Sequence, residues 1–127
     1  MAGVTYDTGA LVAAERNDRR MWALHAGFLA EEVEPVVPAP VLAGAWRGGA
    51  RQASLARLLA LCVVEAMTED QAREVGILAG KARHDDVVDV TVVEGAARRG
   101  DGIVTSNKAD IGKIAEAAQV RIRIDSV

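Results

Sequence analysis

The chain has 127 residues, of which 50% are apolar and 26% charged, with a formal net charge of −3. This length bounds one domain, 1–127, with a real core; the mild acidity excludes a protein that binds nucleic acid by bulk charge, so any such contact needs a local basic patch or metal ions. The single cysteine, Cys62, excludes an internal disulfide, and the absence of a signal peptide or an apolar run of transmembrane length leads to the expectation of a cytoplasmic protein with a buried, reduced thiol.

"AGVTYD" (2–7) reads as a strand ending at Asp7, with Thr8 capping a helix "GALVAAER". A second helix, "RRMWALHAGFLAEE", aligns Met21, Leu24, Phe28 and Leu29. Val36–Val37 form a short buried strand, and Pro38 or Pro40 opens a helix "PVLAGAWRGG" closed by Gly48–Gly49. "ARQASLARLLALC" is helical and "CVVEAM" is a strand. Thr68 to Gln71 spell a capping box before "EDQAREVGILAGKA". "DDVVDVTVVEGAARRG" is too long for a usual strand and ends in Gly100, so it is predicted as a helix despite its valines. "DGIVTS" is a strand, "KADIGKIAEAAQ" a helix, and "VRIRIDS" a last strand with period-two alternation.

Strands alternating with helices imply a parallel sheet flanked by helices. Ligands of such sheets bind outside the carboxyl ends of the strands, which here places Asp7 and "TSNKAD" (105–110) at the site. Asp86 and Asp89 share one helix face, and Asp110 starts a helix just past a strand end. Four such carboxylates converging on one rim would repel and have raised pKa values unless a cation were bound, and oxygen ligands select Mg²⁺ or Mn²⁺. The competing reading is capping: "HDD" before a helix suits Asp85, and also Asp86, as an N-cap. Capping does not explain Asp89, one turn inside between valines. His84 reads as a surface or loop residue outside the cluster.

The order "TYDTGALVA", "VVPAPVLAGAWRGG", "DVVDVTVVEGAARRGDGIVTSNKADI" resembles the PIN-domain family, in particular the VapC-type toxins of bacterial toxin–antitoxin pairs, over nearly the whole chain. The resemblance implies a three-layer α/β/α fold with a mostly parallel sheet of about five strands and an Mg²⁺- or Mn²⁺-dependent ribonuclease. It also implies a small antitoxin partner that blocks the acidic groove, and a homodimer formed through the early helices. Trp22, Trp46 and Phe28 are large apolar residues for such an interface, or equally for an ordinary core.

Of the family's four acidic positions, the first maps onto Asp7 and the third onto Asp89, with Asp86 beside it. These three are the expected metal ligands. The second position holds Gly44 and the fourth Asn107, with Asp110 one helical turn further on. Asn107 and Asp110 are expected to orient the attacking water or the ion's outer shell, and Thr105 or Ser106 to bond a carboxylate or the scissile phosphate. Arg47, Arg98, Arg99 and Lys108 are candidates for the phosphate track. The two departures keep a second reading open: a degenerate PIN-domain protein that binds RNA or antitoxin with little cleavage. A phosphoacceptor receiver domain fits poorly. It needs an aspartate at the end of the third strand, where "CVVEAMTED" offers Glu65 and Glu69, and a lysine after the fifth, where "VRIRIDSV" has none.

Overall fold

The computed structural model describes residues 3–127. In chain order it contains β1 (Val4–Tyr6), α1 (Thr8–Glu15), α2 (Arg19–Ala30), β2 (Val36–Pro38), α3 (Ala39–Ala45), a 3-10 turn (Ala50–Gln52) and α4 (Ala53–Leu59). Then follow β3 (Val63–Glu65), α5 (Glu69–Ala82), α6 (Val87–Arg99), β4 (Gly102–Thr105), α7 (Lys108–Ala117) and β5 (Ile124–Ser126). The five strands are all parallel, in the order β3-β2-β1-β4-β5. Thr5 registers with Val36 and Ile103, and Ile103 in turn with Ile124. No described helix is long and apolar enough to cross a membrane.

β1 is central, and its three residues are all buried. A strand covered on both faces must be apolar on both, which explains the unbroken "VTY". Successive side chains point to opposite faces: the Tyr6 hydroxyl pairs with His25 Nδ1 of α2 at 2.8 Å, whereas Thr5 Oγ1 accepts from Arg99 of α6 at 2.8 Å. Helices α1, α2 and α4 therefore cover one face and α5, α6 and α7 the other, a three-layer α/β/α architecture. Leu11, Met21, Leu55 and Leu58 fill the first interface; Val90, Val93, Ile111 and Ile114 fill the second.

Helix α6 runs Val87–Arg99 although valine disfavours helices by a few tenths of a kcal/mol each. Burying Val90, Val92 and Val93 completely outweighs that, at about 1.5–3 kcal/mol per fully buried side chain. Gly100 ends the helix in the left-handed conformation, φ +74°.

Several boundaries differ from expectation. Of the predicted first strand, Ala2 lies outside the described residues, and Asp7, just past β1 with its N–H still bonded to the Val104 carbonyl, caps α1 in place of Thr8. Asp86, not Asp85, caps α6. The predicted helix 40–49 stops at Ala45, because Trp46 turns extended and Gly48 and Gly49 both adopt positive φ. The helix predicted over 50–62 begins as a 3-10 turn and ends at Leu59. Thr68 caps α5 as expected, but Gln71 does not reach back to it: its amide donates to Glu94 at 2.9 Å, so only half of the capping box forms. The last strand is only Ile124–Ser126.

One internal ion cluster ties the layers together. Asp101, 8% exposed, accepts from Thr5 Oγ1 and from Arg99 Nε, both at 2.9 Å, while Arg99 Nη1 lies 2.8 Å from Glu65 of β3. Removing one partner of such a buried pair strands the other. Arg99→Met is expected to destabilise the fold by about 3 kcal/mol, read as a lowered urea midpoint at unchanged m-value; a change within error would show that Asp101 does not depend on this cation.

Candidate metal centre

The strand order reverses direction at β1. The chain moves from β1 through β2 to β3 on one side, then returns by α5 and α6 to β4 on the other. The carboxyl ends of β1 and β4 thus flank a topological switch point, where parallel sheets offer a crevice. Asp7 emerges from one side of it and Ser106–Asn107 from the other.

Asp7 is 4% exposed and serves as the N-cap of α1, accepting from Ala10 N–H at 2.8 Å. Burial pushes its pKa up, against hydrogen bonds from the Thr105 hydroxyl and the Ala10 and Gly9 N–H groups. Thr105, fully buried at the end of β4, accepts from Asn107 N–H at 2.8 Å. Asn107 caps α7: its Oδ1 accepts from Asp110 N–H at 3.3 Å, and its Nδ2 donates to the Asp110 carboxylate at 2.8 Å. Hydrogen bonds therefore run from Thr105 through Asn107 to Asp110, with Asp7 beside the Thr105 hydroxyl. The close seat of α1 against this loop requires Gly9, where a Cβ would overlap the Ser106 hydroxyl.

Asp89 enters from α6, half-buried in its first turn. Its pKa is pushed up to about 6, first by burial, then by Asp86, Asp7 and Asp110, with His84 acting in the opposite direction. Four carboxylates thus share one electrostatic neighbourhood. Asp86 caps α6, accepting from Val88 and Asp89 N–H at 3.0 and 3.3 Å, and is exposed. Among the described residues, one group of three has ligand atoms within 4.8 Å of one another: His84, Asp89 and Asp110. His84 is the member the sequence reading left out. It sits in the loop between α5 and α6, and only the left-handed turn at Arg83, φ +51°, brings it alongside Asp89. Nothing in a period-based reading signals that turn.

Other predicted site residues are dispersed. Arg98 and Arg99 lie roughly 15 Å along α6 from Asp89. Both are engaged with acids of their own: Arg98 with Glu65 at 2.7 Å and Glu94 at 3.2 Å, Arg99 with Glu65 and Asp101. Burial alone would raise the Glu65 pKa, but Arg98 and Arg99 hold it below the usual range. Neither arginine is a free cation for a phosphate track. Lys108 begins α7 beside Asn107, exposed, and Arg47 folds its guanidinium onto the carbonyls of Ala43 and Trp46. Neither makes an ion pair among the described residues. Gly44 lies on α3 beside Thr8, where an added Cβ would meet Thr8 Oγ1 at 3.4 Å, an ordinary contact. Phe28 belongs to the core, Trp22 packs partly buried against it, and Trp46 is 41% exposed. Cys62 is half-buried, its thiol pushed up to about 12 by burial and by Glu34, and it bonds the Leu58 carbonyl.

Carboxylate oxygens with one ring nitrogen, and no thiol, suit a hard or borderline divalent cation, and the raised pKa of Asp89 reflects burial first and its acidic neighbours second. The sign of its linkage follows. A carboxyl whose folded pKa lies above its unfolded value is favoured protonated, so the ionised form costs nothing below about pH 4, progressively more through pH 6, and the full amount above it. In EDTA, Asp89→Asn is therefore expected to stabilise the protein by about 1–2 kcal/mol at pH 8, after allowing for solvent screening, and not at pH 4. Urea unfolding at the two pH values checks this; an equal effect at both would remove the electrostatic account.

The sequence matches no protein-family model and no curated protein. In fold the chain is similar to a chain in the crystal structure of VapBC2 from Rickettsia felis bound to a DNA fragment from their promoter, with a TM-score of 0.74 at 14% identity over 98% of each chain. The likeness is one of fold: a three-layer, PIN-like α/β/α sandwich on an all-parallel five-stranded sheet.

Proposed function

We propose that the chain is a VapC-like toxin: a metal-dependent endoribonuclease that cleaves RNA phosphodiester bonds and is neutralised by a small cognate antitoxin. The observation that carries this reading is geometric: Asp89 and Asp110 bring ligand atoms within 4.8 Å of each other and of His84 at the switch point of the sheet, and Asp89 is pushed up to about 6 first by burial and then by Asp86, Asp7 and Asp110. Such a gathering of like charges is unfavourable by itself and becomes favourable around a divalent cation.

Asp89 and Asp110 would hold Mg²⁺ or Mn²⁺, with Asp7 on the sheet side and Asp86 at the solvent side. The ion supplies an acidified water and neutralises charge that develops on the phosphoryl oxygens. The protein's own residues do the positioning. Thr105 and the Gly9 and Ala10 N–H groups fix Asp7. Asn107 takes the place of an acid and brings no charge, but its amide pins the Asp110 carboxylate, so the charge is moved one helical turn. Lys108 is placed to meet an RNA phosphate as it reaches the rim, and Ser106 and Arg47 are secondary candidates. With 3% aromatic residues, base stacking is a poor source of sequence preference. The exposed Trp46 at the end of α3 is the best-placed large apolar residue for a dimer or antitoxin contact.

The decisive experiment is cleavage of total RNA and transfer RNA by purified protein in Mg²⁺, Mn²⁺ or EDTA. Metal-dependent cutting is expected, reduced more than about a hundredfold in Asp7→Ala and Asp89→Asn, since direct ligands should exceed the 10–100-fold typical of outer-shell partners. Absence of cutting under either ion, with no antitoxin present, would favour the second reading, an RNA- or antitoxin-binding protein with a degenerate site. The feature that favours that reading is Gly44, which leaves an acid's place beside Thr8 without a side chain. Gly44→Glu restores a carboxylate there and replaces a helix-weakening glycine. It is expected to tighten Mg²⁺ binding by about tenfold, roughly 1.4 kcal/mol, measured by calorimetry; no change would mean that α3 does not border the ion.

A further inference from the structure

We propose that His84 supplies a nitrogen ligand to the divalent cation held by Asp89 and Asp110, so that the site takes Mn²⁺, or a later first-row ion, in preference to Mg²⁺. This rests on the metal-centre reading above and specifies the donor set and ion class of that same site.

Three observations carry it. The first is geometric. Ligand atoms of His84, Asp89 and Asp110 all lie within 4.8 Å of one another. Two ligands about 2.1 Å from one ion stand roughly 3 Å apart when adjacent and roughly 4.2 Å apart when opposite, so the three need only small shifts to share an ion. The second is placement. The ring is not on a loose tether: His84 N–H donates to the Ala79 carbonyl at 3.1 Å as α5 ends, Arg83 takes the left-handed turn, and α6 begins two residues later under the Asp86 cap. The backbone is therefore tied on both sides of the imidazole, which is itself half-buried. The third is the donor deficit. Gly44 offers no donor, and Asn107 turns its amide N–H toward Asp110. A ring nitrogen brought to the same carboxylates replaces one missing ligand without adding repulsion.

One contact opposes ligation. His84 Nδ1 accepts from Asp86 N–H at 3.2 Å, which places the proton of the neutral ring on Nε2. Coordination through either nitrogen breaks that bond; coordination through Nε2 also moves the ring proton to Nδ1 through solvent. The loss is one long, exposed hydrogen bond, small beside a metal–imidazole bond. Imidazole binds first-row transition ions better than Mg²⁺, which prefers an all-oxygen shell; a mixed nitrogen–carboxylate set therefore discriminates where four carboxylates would not.

The test is direct binding to the full chain, without RNA: calorimetry with Mn²⁺ and with Mg²⁺, and pulsed electron paramagnetic resonance of the Mn²⁺-loaded protein. The wild type is expected to bind Mn²⁺ at least about tenfold tighter than Mg²⁺ and to show nitrogen hyperfine coupling of a bound imidazole. His25, the other histidine, is 2% exposed and bonded to Tyr6, so it is no alternative source. His84→Gln is expected to lose the coupling and most of the Mn²⁺ advantage while keeping Mg²⁺ affinity within about threefold. Mn²⁺ bound without nitrogen coupling in the wild type overturns the assignment of His84 and leaves the metal centre standing. A wild type that binds neither ion overturns both. The resonance measurement needs no variant, so poor folding of His84→Gln would not weaken it.

Discussion

The carboxylate of Asp7 is the constraint around which this chain is arranged. It is 96% removed from solvent at the end of the central strand, with three further carboxylates acting on the same rim. A buried acid of this kind persists only if hydrogen bonds hold it and something cationic completes it. The first condition is met by the protein itself: the Ala10 N–H donates to Asp7, and beside it hydrogen bonds run from Thr105 through Asn107 to Asp110. Three separate elements, α1, β4 and α7, therefore meet at Asp7. The second condition is what the proposed divalent cation would meet, where a proton would otherwise neutralise the acid.

Helix α6 distributes charge in a way that explains both of its ends. Asp86 and Asp89 occupy its N-terminal turn, where the helix dipole favours anions, and Arg98 and Arg99 its last turn, where it favours cations. The dipole softens the repulsion that Asp89 meets, while burial first and the neighbouring acids second push its pKa up. At the far end the arginines answer Glu65, Glu94 and Asp101. One helix thus supports a charge-deficient rim and a charge-satisfied one on the same sheet.

This division marks what was legible in the sequence. The parallel α/β order, the helical reading of "DDVVDVTVVEGAARRG" and the placement of Asp7 and "TSNKAD" at strand ends follow from periodicity, glycine stops and strand-end logic, and all three hold in the structure. The acidic partners of Arg98 and Arg99 are not legible because they are distant in sequence: Glu65 is 33 positions from Arg98, and no local pattern announces it. His84 was set aside because its approach to Asp89 depends on one left-handed residue, Arg83, which is not a glycine and so gives no warning. Asp85 and Asp86 differ by a single position, and the choice between them as cap is settled by where α6 starts, the least legible feature of any helix.

Set against the acidic pattern of the family that the sequence resembles, Gly44 and Asn107 look like losses when positions are compared one at a time. In three dimensions they are a redistribution. Asn107 keeps the capping task, since an amide oxygen caps a helix about as well as a carboxylate does, and its remaining N–H groups allow it to steer Asp110. The carboxylate displaced by one turn still acts on Asp89. In the proposed centre the donor that α3 does not offer at Gly44 would come from His84, on the loop between α5 and α6. The proposed centre would keep enough negative charge to attract a divalent ion, with its donors on α6, α7 and the loop before α6 rather than on α3. Its selectivity would then be set by the mixture of donors rather than by the number of acids.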